Sequence, residues 1–175
     1  MHELITLQRA ALVSGNDISR SAIAQWRGVI RAQLDEPLRS RDLPASERLP
    51  LNELAHWGYC LPPSWVEVWS INGVTRHPWQ SSLTLEDVTG SRSHQSSHAW
   101  HISPQGQLER HGIADWNKET LSLAPGSRVM VEWPAQYPTM GVNVERSWVN
   151  ERLPRWLAAQ LPGEDCQTWP QEKPQ

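Results

Sequence analysis

Imidazole, thiol and carboxylate groups are the side chains through which a protein of this kind could bind metal or do acid-base work. Four histidines, His94, His98, His101 and His111, crowd one stretch of the sequence. On an extended strand His98 and His101 face opposite sides and cannot both reach one ion without a bulge. These histidines therefore read as solvated loop or edge residues, and no metal site is assigned. There is no His-Glu-x-x-His to suggest otherwise. Cys60 and Cys166 lie far apart, without the short spacings of a zinc or redox motif. Cys60 sits in an apolar run and reads as a free thiol, with pairing to Cys166 in an oxidising compartment as the alternative.

Nucleophilic and phosphate chemistry find no support either. No Gly-x-Ser-x-Gly window places a serine on a sharp turn, and neither a Gly-x-Gly-x-x-Gly nor a Walker loop occurs. Glu67, Glu109 and Glu132 fall in alternating segments whose polar positions read as the solvated face of strands. No catalytic residue and no cofactor are assigned, and the chain reads as a non-enzyme.

Binding residues are a different matter. Phe is absent while Trp occurs 11 times, so Trp occupies positions that Phe would ordinarily fill. Stacking of a sugar ring on an exposed indole is the alternative use. Arg76 lies just after an Asn72-Gly73 turn, where a strand edge meets solvent. It is either an ordinary exposed arginine or a donor fork for a ligand.

Charge and hydropathy narrow the partners. The net charge of −3 and pI near 6.2 create no field that would gather nucleic acid or an anionic membrane surface. No apolar run approaches the roughly 20 residues of a membrane-spanning helix. The opening residues lack the charged start, apolar centre and small-residue cleavage site of an export signal. A mean hydropathy of −0.57 and 175 residues suit one globular domain, or two small ones sharing elements.

The elements that must carry these residues follow from periodicity. Leu4, Ile5, Leu7, Ala11 and Leu12 recur at helical spacing before Ser14-Gly15-Asn16 stops the run. Asp17 reads as the N-cap of a second helix striped by Ile18, Ile23, Trp26, Val29, Ile30 and Leu34, which ends at Glu36-Pro37. Residues 39–48 read as a loop. Leu49 to Leu51 and Trp57 to Leu61 read as short strands before the Pro62-Pro63 boundary.

Trp65 to Ile71, the Asn72-Gly73 turn and Val74 to Gln80 form a first hairpin. Leu83 to Val88 reads as a short helix, with Thr84 and Asp87 at capping-box spacing, before a polar loop at 90–97. Residues 99–103 and 107–111 form a second hairpin about Pro104-Gln105-Gly106, and Pro125-Gly126 leads into a last strand over 127–133. Two hairpins about a helix plus a closing strand is the β-grasp order, within an α+β class. Val144, Trp148, Val149, Leu153, Trp156, Leu157 and Leu161 stripe a final amphipathic helix. Pro154 is expected to kink it or end its first half. Residues 164–175 read as a frayed tail.

Within this order, Ala99-Trp100, Ser103-Pro104-Gln105-Gly106, Ala114-Asp115-Trp116-Asn117-Lys118 and Ala124-Pro125-Gly126-Ser127 follow one another at a spacing that resembles the GfcC family of capsule polysaccharide assembly. Pro62 to Gln80 is similar to the family's double-proline linker, strand and arginine-bearing return, with Arg76 matching the family's arginine. The sequence departs from the family in reading Arg76-His77-Pro78-Trp79. It also lacks the acidic-basic pair before the alanine-tryptophan strand.

The resemblance implies β-grasp domains with a helical hairpin inserted in the first. The expected organisation is a hairpin and remnant first domain over 1–63, a β-grasp domain over 64–141, a C-terminal amphipathic helix over 142–162 and a disordered tail over 163–175. Family members are periplasmic and begin with a signal peptide and further strands, so a shortened start is expected here. The implied function is that of a non-catalytic binding or scaffolding module in capsule or exopolysaccharide assembly or export. Its partner would be an outer-membrane polysaccharide exporter, a companion assembly protein or the polysaccharide itself, with no nucleic acid and no transmembrane segment. Arg76, Trp100, Trp116, Trp148 and Trp156 are the expected binding residues. A polysaccharide-modifying enzyme and a membrane-surface protein using the last helix are the alternatives.

Overall fold

A computed structural model describes residues 1–34, 56–90, 96–134, 142–163 and 165–170. The expected helix stop at Glu36-Pro37, the loop over 39–48, the strand at Leu49 to Leu51 and part of the polar loop over 90–97 lie outside them. The class is α+β: four helices accompany a five-stranded mixed sheet and a two-stranded ribbon among the described residues.

Helices α1 (His2–Val13) and α2 (Asp17–Leu34) are joined by Ser14-Gly15-Asn16. Leu4, Leu7 and Ala11 bury the inner stripe of α1. The cap of α2 lies one residue earlier than the sequence suggests. Asn16 Oδ1 accepts from Ser19 N at 3.0 Å, leaving Asp17 inside the first turn to pair with Arg20. Ile18 points outward while Ser19, Ala22, Ile23 and Trp26 lie against the core, because a helical face is set by the full periodic pattern and not by its first apolar residue.

The sheet is built from β2 (Trp65–Ser70), β3 (Gly73–Pro78), β4 (His98–Ile102), β5 (Leu108–Gly112) and β6 (Arg128–Val131). Its spatial order is β3-β2-β6-β4-β5, and the central β2 and β6 run parallel. The first hairpin pairs Ser70 with Gly73, so its two-residue loop is Ile71-Asn72, not Asn72-Gly73. Gly73 opens β3 at φ +108°, a backbone conformation that favours glycine. Between the hairpins lies α3 (Leu85–Thr89), closed by a reciprocal capping box between Thr84 and Asp87.

Strand alternation divides the core in two. Trp69, Ile102 and Met130 face α1, α2 and α4 (Asn143–Ala159), where Trp26 stands edge-on to both Trp69 and Trp133. Val66, Val68, Ala99, Val129 and Val131 face α3 and the coil around Leu123 on the other side. Helix α4 continues through Pro154, which is buried, so the proline does not end it. Val149, Leu153 and Leu157 bury its inner face while Val144 is 72 % exposed, and Leu161 falls beyond the helix.

Two carboxamides stitch helices onto neighbouring backbone, one on strand β3 and one two residues beyond β6. Gln25 on α2 accepts from Val74 N and donates to Val74 O, each at 3.0 Å, so it pairs with the edge strand β3 as a neighbouring strand would. Asn150 on α4 does the same for Trp133, at 2.9 and 3.1 Å.

Two expectations fail at the far end of the chain. The reading of 164–175 as a frayed tail is overturned in part, because β7 (Cys166–Pro170) pairs antiparallel with β1 (His56–Cys60). Cys60 and Cys166, read as free thiols, are register partners joined by a disulfide. Local polarity could not reveal either, since the backbone partners and the second sulfur lie at least 106 residues away.

Candidate functional site

The expected binding residues do not form one constellation. Trp148 and Trp156, two turns apart on α4, line a groove of about 310 Å³ with Leu4 of α1 and Ile30 of α2. The Arg152 guanidinium stacks over the Trp148 ring at 3.5 Å from its centroid, and Glu3 lies at the groove wall. Trp148 is half-exposed, whereas Trp156 leans on the core. An apolar floor edged by an indole, a guanidinium and a carboxylate can take a ring or an apolar side chain while hydrogen-bonding polar groups at its rim.

Trp100 is not at this groove mouth. It stands on β4 opposite Met130 and Arg110, half-buried against the helical core, with its indole Nε1 enclosed. Trp116 is the reverse case, 76 % exposed on the turn that follows β5. That turn is folded by its neighbour Asn117, which accepts from Ala114 N and donates to Ser97 O, both at 3.0 Å. The close approach explains Gly112, where a Cβ would stand 1.9 Å from the Asn117 carbonyl oxygen.

Arg76 lies on β3 with its guanidinium 4.2 Å above the Trp65 ring and its Nε 3.5 Å from Glu67 Oε2. Glu67 overturns the solvated-face reading, being only 2 % exposed. It accepts from Trp69 Nε1 at 2.8 Å and lies beside Arg128 Nε at 3.6 Å. Arg76, Glu67 and Arg128 thus form a row across three strands, in which the buried carboxylate neutralises a buried guanidinium and orients a half-exposed one. Arg128 in turn donates to the carbonyls of Leu157, Gln160 and Leu161 at the end of α4, the first of which also accepts from Gln160 N. Sequence reasoning missed both Glu67 and Arg128. The signal available was a charge inside each of two central apolar strands.

The histidines also behave differently from expectation. Reading along β4 considered His98 and His101 as the pair to test, but the neighbour that matters is across the hairpin: the His101 and His111 rings lie 6.1 Å apart with Glu109 beside both. Burial pushes the His101 imidazole below its ordinary pKa, and His111 pushes it further, while Glu109 opposes both. Glu119 accepts from Gly112 N and from His111, and these bonds hold its carboxyl below the usual range.

None of the described helices is long and apolar enough to cross a membrane. A family model described as Capsule biosynthesis GfcC C-terminal matches residues 75–162, from β3 to the end of α4. No curated protein matches the chain.

Proposed function

The chain belongs to the GfcC C-terminal capsule-biosynthesis family, and on that premise we propose that it is a non-catalytic binding module of capsule assembly or export, docking a companion protein or the glycan through the groove between α1 and α4. The observation that carries this reading is the groove itself, where Trp148 and Trp156 converge within the matched region. Aromatic and arginine side chains flanking a small apolar floor are the usual anchors of such contacts. The strand order β3-β2-β6-β4-β5, with α3 between the hairpins, supports a β-grasp domain as the scaffold. Its role is to hold α4 rigidly through Arg128 and Asn150.

A periplasmic site of action fits the Cys60–Cys166 disulfide, which persists in oxidising compartments. An outer-membrane polysaccharide exporter or another capsule assembly protein is the partner class. The test is capsule display in cells lacking the protein and complemented with Trp148→Ala/Trp156→Ala. Loss of surface capsule at normal protein level is expected, and full display would remove the groove from the function. Shortening or chemical change of the capsular polymer by the purified protein would overturn the non-catalytic reading.

A further inference from the structure

On the face of the sheet opposite the groove, we propose that His101, Glu109 and His111 form a binding site for a divalent transition metal of the zinc class. The ligand atoms are His101 Nδ1, His111 Nε2 and a Glu109 carboxylate oxygen, all within 4.8 Å of one another. Glu109 Oε2 is 3.7 Å from His101 Nδ1 and 3.4 Å from His111 Nε2. A tetrahedral ion bound at about 2.0–2.2 Å holds its ligands about 3.4 Å apart, so small side-chain movements close the set.

The register dictates this convergence. His101 stands opposite Glu109, and His111 lies two residues further along β5 on the same face. The two ring nitrogens that face the shared point are buried and make no hydrogen bond with any of the described residues, an arrangement that costs free energy unless something occupies it. His101 is only 8 % exposed, so water offers its Nδ1 little relief.

The opposite ring nitrogens are already engaged. His111 Nδ1 lies 2.8 Å from Glu119 Oε2, and His101 Nε2 lies 3.4 Å from Ser127 Oγ. A histidine that donates from one nitrogen to a carboxylate turns the lone pair of the other toward a metal, and zinc sites are habitually oriented this way. In the His101 tautomer that donates from Nε2 to Ser127 Oγ, three acceptors from three residues then face one point. A proton there satisfies one pair, whereas a divalent ion satisfies all three. With Glu109 more than half exposed, the fourth coordination position opens to solvent, for water or an external oxygen ligand.

The site is independent of the groove and is tested with the full chain, stripped of metal by chelator and carrying no histidine tag. Calorimetric titration with zinc chloride is expected to give one ion per chain at about 1 μM affinity or tighter. Cobalt(II) in the same position is expected to show the intense visible absorption of a tetrahedral centre. Glu109→Gln, on an exposed side chain, and His111→Ala are each expected to weaken zinc by about 100-fold, with Glu119→Gln weakening it about 10-fold and changing the cobalt spectrum through His111. His98→Ala serves as the unaffected control. Circular dichroism verifies that each variant is folded. Absence of zinc binding up to about 100 μM, or affinity unchanged in folded Glu109→Gln and His111→Ala, overturns the proposal.

Discussion

Glu67 on β2 and Arg128 on β6 are register partners, and both are buried, with Arg128 Nε 3.6 Å from Glu67 Oε1. Because Arg128 also holds three carbonyls at the end of α4, the pair links the middle of the sheet to the helix that bears Trp148 and Trp156. Removing Arg128 leaves a buried carboxylate and strips a donor from the carbonyls at the end of α4, of which only that of Leu157 keeps a described backbone donor, Gln160 N. Arg128→Ala is therefore expected to cost about 3–5 kcal/mol, seen as a lower urea midpoint, with amide exchange in α4 accelerated beyond that in α3. An unchanged midpoint would refute this linkage.

The disulfide makes a second prediction. Cys60→Ser/Cys166→Ser, or reduction of the native protein, is expected to lower stability by about 2–4 kcal/mol, since the bond closes a very long loop in the unfolded chain. Thiol titration in denaturant without reductant should find no free thiol, and two after reduction.

Asn150 pairs with both backbone groups of Trp133, and Asn150→Leu strands a donor and an acceptor together. The expected loss is about 2 kcal/mol by chemical denaturation. Trp116→Ala, on an exposed ring that packs little, should change stability by less than about 0.5 kcal/mol under the same conditions.

At Gly73 a Cβ would stand 2.0 Å from Gln25 Oε1, at a backbone φ of +108°. Gly73→Ala must therefore displace the Gln25 carboxamide as well as strain the turn, at a cost of about 1–3 kcal/mol. Adding Gln25→Ala removes the clash but not the strain, so the double variant should lose less than the sum of the two single variants by thermal melting.

The capping box gives a pH dependence. Hydrogen bonds from the Thr84 hydroxyl and then the Thr84 amide hold the Asp87 carboxyl below its ordinary pKa. A carboxyl depressed in the folded state contributes stability that is present above the unfolded value, about 3.9, and is lost as pH falls through the lower folded value. Thr84→Val removes the hydroxyl, so the acid-side loss of stability in that variant should be shallower than in the parent. Identical acid profiles would show that the capping box carries no part of it.

The sequence by itself determined the elements whose causes are local. Helical periodicity marks α1, α2 and α4, the Thr84 to Asp87 spacing marks α3, and alternation about Gly73 and Gly106 marks the two hairpins, because side-chain period and turn chemistry act over a few residues. It also carried the family, through short segments that recur in a fixed order around Trp100 and Trp116. Tertiary structure alone decided what those elements bring together. Cys60 meets Cys166, Glu67 meets Arg128, and His101 meets His111 across strand pairings whose register no local pattern encodes. A charge in a strand reads as solvated until a neighbouring strand buries it, and a histidine reads as isolated until the hairpin places a second one beside it. The physical reason is the same in each case: burial and convergence belong to pairs of segments, whereas propensity belongs to one.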